Sequence, residues 1–387
     1  AAETSDGANN AYVFYDGPPF ANGLPHHGHL LTGYVKDAVA RYQTMRGKRV
    51  ERRFGWDCHG LPAEMETEKQ IEVSGRQEII TYGIDKFNEH CRTSVMRYRD
   101  EWEFYVTRQA RWVDFENDYR TMDMPYMESV LWAFSELYKK GLIYEGFKVM
   151  PYSWSAETVL SSSEIRLDDA TREKIDKAVE VAFKLKKIPP FLQRQIDHFK
   201  NAQSSVGELL NPNFNPQNVY LVAWTTTPWT LPSNLALAIN QEIVYRAYYE
   251  NDNLYIASAE YVESNKDAQS KFLEYYRYGN NVPISDNGIP AGSNIRVSGT
   301  NLIEVETTYE PLFPYFADHP NAFKVLDGSS FIEEGSGTGI VHMAPGFGED
   351  DMRVCAENGI SIVVPVDEKG QYTDAIYDIM RIETSRC

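Results

Sequence analysis

Two stretches of this 387-residue chain gather side chains able to do chemistry. The first is "GPPFANGLPHHGH", which places His26, His27 and His29 around Gly28. Imidazole N–H groups donate to anionic oxygens, and the ring titrates near neutral pH. Positions 26 and 29 would share one face of a helix. A helix N-terminus carries unsatisfied N–H groups and a positive partial charge, so it is a natural phosphate site. A glycine at 28 would let a flat ligand approach the backbone, behind a rigid loop shaped by Gly17, Pro18, Pro19 and Gly23. The second stretch is split between "VAWTTTPWTLPSN" (222–234) and "GTGIVHMAPGFGEDD" (337–351). It offers the hydroxyls of Thr225, Thr226, Thr227 and Thr230, the amide of Asn234, and the titratable groups of His342, Asp350 and Asp351. Taken singly, each feature has a plainer reading: a capped helix with exposed histidines, threonines chosen as strand formers, a glycine turn. Asp57, in "RRFGWDCHG", is read at a strand end, where a carboxylate can pair with a cation or cap the following helix. Cys58 beside it reads as a packing thiol, because nothing nearby marks it as activated.

These groups need elements to hold them. Residues 11–16, "AYVFYD", are an aromatic and β-branched run that stops at Gly-Pro-Pro, which predicts a buried strand followed by a loop. From Gly28 the apolar positions Leu30, Leu31, Tyr34, Val35, Ala38, Val39, Tyr42 and Met45 recur at helical spacing, with Gly47 as a stop. Val50 into "RRFGWD" predicts a second strand, completing a βαβ unit of an α/β fold. Residues 84–108 and 125–140 are expected to be helical, the second flanked by Asp123, Pro125, Lys139, Lys140 and Gly141. After about Leu160 the character changes to short β-rich runs: "VAFKL", "VYLVAW", "IVYRAYY", "NLYIAS" and "ISIVVPV". They predict a second, mostly β domain of barrel or sandwich type, interrupted at 187–216 by a polar, helical insertion.

A chain this long exceeds one core, so two domains are expected. The opening "AAETSDGANN" has neither a basic start nor an apolar run, so no signal peptide is expected there, and no stretch is apolar enough to span a membrane. Cys58, Cys91, Cys355 and Cys387 lie far apart and suggest free thiols of a reducing, cytoplasmic setting. The net charge of −18 argues against unspecific nucleic-acid binding. A local basic run, Arg46, Lys48, Arg49, Arg52 and Arg53, leaves room for a folded RNA partner or is simply a solvated surface.

"PPFANGLPHHGH" resembles the first signature of the class I aminoacyl-tRNA synthetases, His-Ile-Gly-His, with His27 in the Ile place. "RRFGWDCHGLPAE" resembles a second block of that family, and the GPPFANG and GWDCHGLP wording looks like that of its isoleucyl branch. Leucyl members usually carry GWDAFGLP, and valyl members open with PPPNVTG. The resemblance runs to about residue 370. It implies a Rossmann-like α/β nucleotide-binding core, present as its N-terminal half (1–165), an inserted, barrel-like editing domain (166–375), and an unassigned tail (376–387). It further implies ATP-dependent activation of isoleucine, with Mg2+ accompanying ATP, and transfer to tRNA(Ile). ATP would contact Gly17, Asn22, His26, Gly28 and His29, with His26 and His29 as the catalytic pair. Pro18 would line the side-chain pocket and Asp57 would bind the substrate ammonium.

The threonine-rich and GTG…HMAP…GxxDD segments are similar to the editing domain of the isoleucyl, valyl and leucyl members. Editing answers an energetic shortfall: a pocket rejects one missing methylene by only about 1–3 kcal/mol, and this family is the standard example of that limit. By resemblance, Asp351 would hold the ammonium of mischarged valine, and His342 would exclude isoleucine. Thr225, Thr226 and Thr227, with Asn234 following, would contact the terminal adenosine and ester. No Ser-His-Asp or Cys-His set is evident, so direct attack by water is expected.

Two departures stand out. Where many members carry a zinc-binding PYCPxCGTxLS, this chain reads "PYSWSAETVLS", with Ser153 and Ala156 in the cysteine places, so no zinc is expected. The second ATP signature, Lys-Met-Ser-Lys-Ser, is absent, so the chain is expected to be a fragment unable by itself to activate isoleucine. Rival readings are another HxGH nucleotidyltransferase, a valyl or leucyl relative, and a non-catalytic tRNA-binding remnant.

Overall fold

The computed structural model describes residues 10–166, 170–205, 215–265, 295–335 and 337–377. Cys387, most of the tail, and residues 206–214 of the polar insertion lie outside the described residues. The chain divides into two compact units, 1–146 and 147–387, a division that falls ahead of the 165/166 boundary read from the sequence.

The first unit runs α1 (His27–Met45), β1 (Arg53–Trp56), α2 (Leu61–Ile71), α3 (Arg76–Tyr82), α4 (Ile84–Ser94), α5 (Arg99–Arg108), β2 (Asp114–Arg120) and α6 (Met124–Lys139). β1 and β2 are parallel, Arg53 opposite Asp114 and Trp56 opposite Arg120. A parallel pair requires a long crossover, which α2 to α5 supply. Residues 11–16 do not form the expected buried strand. Ala11 makes one isolated parallel bridge to Arg49, Val13 and Tyr15 are 71% and 90% exposed, and only Asp16 is buried. The helix expected over 84–108 is two helices, because the intervening turn gives the Tyr98 N–H to the Ala21 carbonyl instead, at 3.0 Å. The apolar stripe predicted for α1 is exposed at Leu31, Tyr34, Val35, Tyr42 and Met45, whereas the helix buries its small residues Gly33 and Ala40. Aromatics dominate the core of this unit: Phe54 stacks on Phe115 with ring centres 4.5 Å apart, and Trp102 meets Trp56 edge-on at 6.3 Å. Part of the basic run is consumed by this packing. Arg52 donates to the Ala40 carbonyl at 3.0 Å and Arg53 to the Asn117 carbonyl at 2.8 Å.

The second unit contains β3 (Tyr152–Ser153), β4 (Thr158–Val159), β5 (Val179–Lys184), α7 (Pro190–Ser205), β6 (Asn218–Thr225), β7 (Ala236–Ile239), β8 (Val244–Glu250), β9 (Asn253–Ser258), α8 (Ala259–Ser264), β10 (Arg296–Ser298), α9 (Gly299–Glu304), β11 (Lys324–Asp327), β12 (Ile340–Met343) and α10 (Glu349–Glu357). Five strands form one mixed sheet in the order β10-β8-β9-β6-β5, and three form another in the order β11-β7-β12. Among the described residues these are two mixed sheets that do not close into a barrel. "ISIVVPV" is not a strand either: only Val366 pairs, with Tyr372. β7, central in its sheet and flanked on both sides, is buried at all four positions, as its unbroken Ala-Leu-Ala-Ile run requires. Its side chains join Phe183, Leu221, Tyr245, Leu254, Ile256 and Tyr309 in one core. In the segment where a zinc pair was weighed, Ser153 Oγ accepts the Ala156 N–H at 3.2 Å. Among the described residues no helix is long and apolar enough to cross a membrane, and no cluster of ligating side chains would hold a metal ion.

Candidate functional site

The histidines sit where the sequence places them, at the mouth of α1, with His26 and His27 exposed and His29 half-buried. His26 is the N-cap. Its Nδ1 accepts the Gly28 N–H at 3.1 Å, while His29 Nδ1 accepts the His26 N–H at 3.3 Å, a reciprocal cap built from imidazoles. The two rings stack with centres 3.7 Å apart, and His29 leans on Trp102 at 4.9 Å. Because each Nδ1 is an acceptor, each neutral ring carries its proton on Nε2, an assignment made from the hydrogen bonds. Burial, then the neighbouring charges of His26 and Lys36, lowers the pKa of His29 and keeps it a neutral donor near pH 7. The room at Gly28 is taken by the cap: a Cβ there would lie 3.0 Å from His26 Cε1. Gly28→Ala is therefore expected to push the His26 ring off its cap. The cost should be about 1 kcal/mol of helix stability, read by amide exchange in the first turn of α1.

The loop before α1 is tied on four sides. The Gly17 carbonyl accepts from Lys36 Nζ at 2.9 Å, and Asn22 Nδ2 donates to the Pro62 carbonyl at 3.2 Å. The Gly23 carbonyl accepts from Trp102 Nε1 at 2.8 Å, and the Asp57 N–H donates to the Pro19 carbonyl at 2.9 Å. Pro18 and Asp57 are thereby brought to the same strand end, with Phe20 and Asp57 forming a parallel bridge. Asp57 also accepts the His59 N–H at 3.4 Å, so the capping reading of that carboxylate has support in the geometry. Cys58 is buried, and burial raises its pKa, as a packing thiol requires. Sequence reasoning missed Trp102, whose indole props both His29 and the loop. Nothing in its local pattern distinguishes it from other core tryptophans.

The second constellation assembles from three segments. β6 ends at Thr225; a 3-10 turn, Pro228–Ser233, then carries Thr230 to Asn234 and into β7. β12 lies antiparallel to β7, with His342 opposite Leu237. After β12 the chain turns into α10, whose first turn contains Glu349, Asp350 and Asp351. One cavity of about 280 Å3 results, lined by Thr225, Thr226, Thr227, Thr230, His342 and Asp351 among others. Asn234 stands behind it. The wall includes Trp224, Thr338 and Phe347, which the sequence reading passed over, although Thr338 lies within the quoted GTG.

The electrostatics of this cavity follow from its hydrogen bonds. Thr230 Oγ1 donates its only proton to the Thr227 carbonyl at 2.9 Å, so it must accept from His342 Nε2 at 2.7 Å. Asn234 Nδ2 donates to His342 Nδ1 at 3.0 Å. Both ring nitrogens are thus engaged, and His342 is a neutral wall with no free edge to serve as a base. Burial lowers its pKa to about 4, which agrees. Asp351 is raised to about 6, by burial first and by the charge of Asp350, although it accepts the Ala344 N–H at 2.8 Å. Near neutral pH the cavity therefore holds a partly buried carboxylate beside a run of hydroxyls.

The family described as tRNA synthetases class I (I, L, M and V) matches residues 1–334. The chain belongs to this family. The class I synthetases most like it include the isoleucine–tRNA ligase of Rickettsia felis, 52% identical over 372 residues, covering 96% of this chain and 31% of that protein. Those of Rickettsia typhi and Rickettsia bellii are 51% and 50% identical, over 96% and 95% of this chain. The chain spans about a third of the length of the curated synthetases it matches, 32% and 33% of the latter two. A solved chain described as the crystal structure of GlLeuRS-CP1 aligns at 22% identity over 43% of this chain and 53% of that one; its TM-score of 0.27 is too low to support an argument.

Proposed function

We propose that the protein is an isoleucine–tRNA ligase, in which unit 1 is the N-terminal half of the nucleotide-binding core and unit 2 hydrolyses mischarged Val-tRNA(Ile). The whole protein activates isoleucine with ATP and Mg2+ and passes it to tRNA(Ile) in the cytoplasm. His26 and His29 offer two Nε2 donors beside a helix N-terminus, a donor set suited to phosphate oxygens. Pro18 and Asp57 border the amino-acid side of that site, with Gly17 and Asn22 shaping its loop.

One observation carries the hydrolytic reading: the Thr225–Thr227 hydroxyls and the Asp351 carboxylate, more than a hundred residues apart, line one cavity with His342. Asp351 pairs with the valine ammonium. The threonine hydroxyls and neighbouring amides hold the ester and support the oxyanion as water attacks the carbonyl carbon. The C–O bond to the ribose then breaks and the ribose oxygen takes up a proton. His342, held rigidly, bounds the space into which the extra methylene of isoleucine would project.

Incubating this chain with Val-tRNA(Ile) and Ile-tRNA(Ile) tests the reading. Valyl ester should be lost at least ~10-fold faster, the scale set by one methylene; equal loss of both would overturn it. The pH profile is a second check. The kcat/KM of the free enzyme should fall as pH drops through about 6, where Asp351 protonates and the ammonium loses its partner. No limb from His342 is expected above pH 5, since its pKa lies near 4.

A further inference from the structure

We propose that Tyr309 is a positioning residue of the hydrolytic cavity, holding the Asn234 carboxamide so that His342 keeps one orientation and one tautomer. The inference rests on the deacylation reading above. Tyr309 is fully buried in the core and does not line the cavity. Its hydroxyl donates to Asn234 Oδ1 at 2.7 Å. The other end of that carboxamide, Nδ2, donates both to the Ala236 carbonyl at 2.9 Å and to His342 Nδ1 at 3.0 Å. Every polar atom of Asn234's side chain is therefore used, and each use has a direction. A flipped amide would set Oδ1 against the Ala236 carbonyl, oxygen to oxygen. It would also face His342 Nδ1 with an acceptor, forcing the ring proton from Nε2 to Nδ1, so that Thr230 would have to turn its hydroxyl to Nε2 and give up the Thr227 carbonyl.

The relay thus runs Tyr309, Asn234, His342, Thr230, ending on the Thr227 carbonyl inside the threonine run. The links from Tyr309 through Asn234 and His342 to Thr230 are buried, where a missing partner is costly and a satisfied network specifies one arrangement. Two titratable groups lie near the relay: Asp351 shares the cavity with His342, and the Cys355 thiol neighbours Tyr309. A neutral His342 suits that company, since an imidazolium there would compete with the substrate ammonium for Asp351. A hydroxyl several bonds away from the ester would in this way set the shape and charge of the cavity wall.

The test is Tyr309→Phe in this chain, which keeps the ring and its packing and removes only the hydroxyl. Nitrogen-15 NMR of the His342 ring should show a single Nε2–H tautomer in the parent between pH 5 and 8, and a mixture in the variant. The kcat for the valyl ester should fall about tenfold, the scale of one buried acceptor left unmade, with little change in KM. In an Asn234→Ala background the same change should have almost no further effect, because the link is already cut. An unaltered tautomer, or effects of the two substitutions that simply add, would show that Tyr309 only packs. If the parent itself fails to deacylate, the function falls, while the tautomer measurement still decides the relay.

Discussion

Asp351→Asn is expected to cut hydrolysis of the valyl ester by about two to three orders of magnitude while making the folded chain more stable at pH 8. The first half follows from leaving an ammonium buried without its counter-charge, a loss of about 3–5 kcal/mol. Asparagine can still accept the Ala344 N–H that now binds Asp351 Oδ2, so the wall keeps its shape. The second half follows from linkage. The carboxyl's pKa rises from 3.8 in the unfolded chain to about 6 in the fold, chiefly because burial penalises its charge. Between those values the folded form holds a proton that the unfolded chain has released. Stability therefore falls as pH rises across that window and stays low above it. The shift corresponds to about 3 kcal/mol at most. Melting the parent and the variant at pH 4 and pH 8 would show the parent losing ground and the asparagine form nearly level. Full activity of the variant, or lower stability at pH 8, would count against the assigned role.

Asp16→Asn should destabilise the first unit by about 3–5 kcal/mol, because it removes the shared anion of two cations. The Asp16 side chain is 2% exposed; it contacts Arg111 and lies 2.5 Å from Lys36 Nζ. Arg111 is itself almost buried, and Lys36 also holds the Gly17 carbonyl at 2.9 Å. The variant leaves one guanidinium enclosed without a counter-charge and loosens the glycine-proline loop from α1. Amide exchange at Asp57, whose N–H bonds the Pro19 carbonyl, should quicken by about 10²-fold or more. Exchange in β6 and β12, which belong to the other unit, should not change. An unaltered rate at Asp57 would mean that the loop does not depend on this charge.

Both predictions concern residues that local pattern presents very differently. Asp351 stood out because it closes a segment with glycine, histidine and paired acids. Asp16 did not, being the end of an aromatic run that reads as a strand. Among the described residues nothing pairs with that run beyond the Ala11 bridge, so it does not form a strand, and it delivers one buried carboxylate. The stripe on α1 misleads in a similar way: helical spacing specifies a face but not what covers it. At Gly28 the missing side chain also makes room for the His26 ring that caps the helix, a use that spacing alone does not show.

The sequence by itself determined what is short-range. The helix after His26, its stop at Gly47, the parallel strand into Asp57, most β-rich runs and the family signatures all depend on residues a few positions apart, where spacing translates directly into geometry. The tertiary structure alone decided that Thr230, Asn234, Tyr309 and His342 share one hydrogen-bonded relay and that Asp351 lines the same cavity as Thr230 and His342. Those residues meet only because β7 is clasped between β11 and β12. Strand pairing between distant segments is selected by burial and register summed over the whole core, and no local pattern carries that sum.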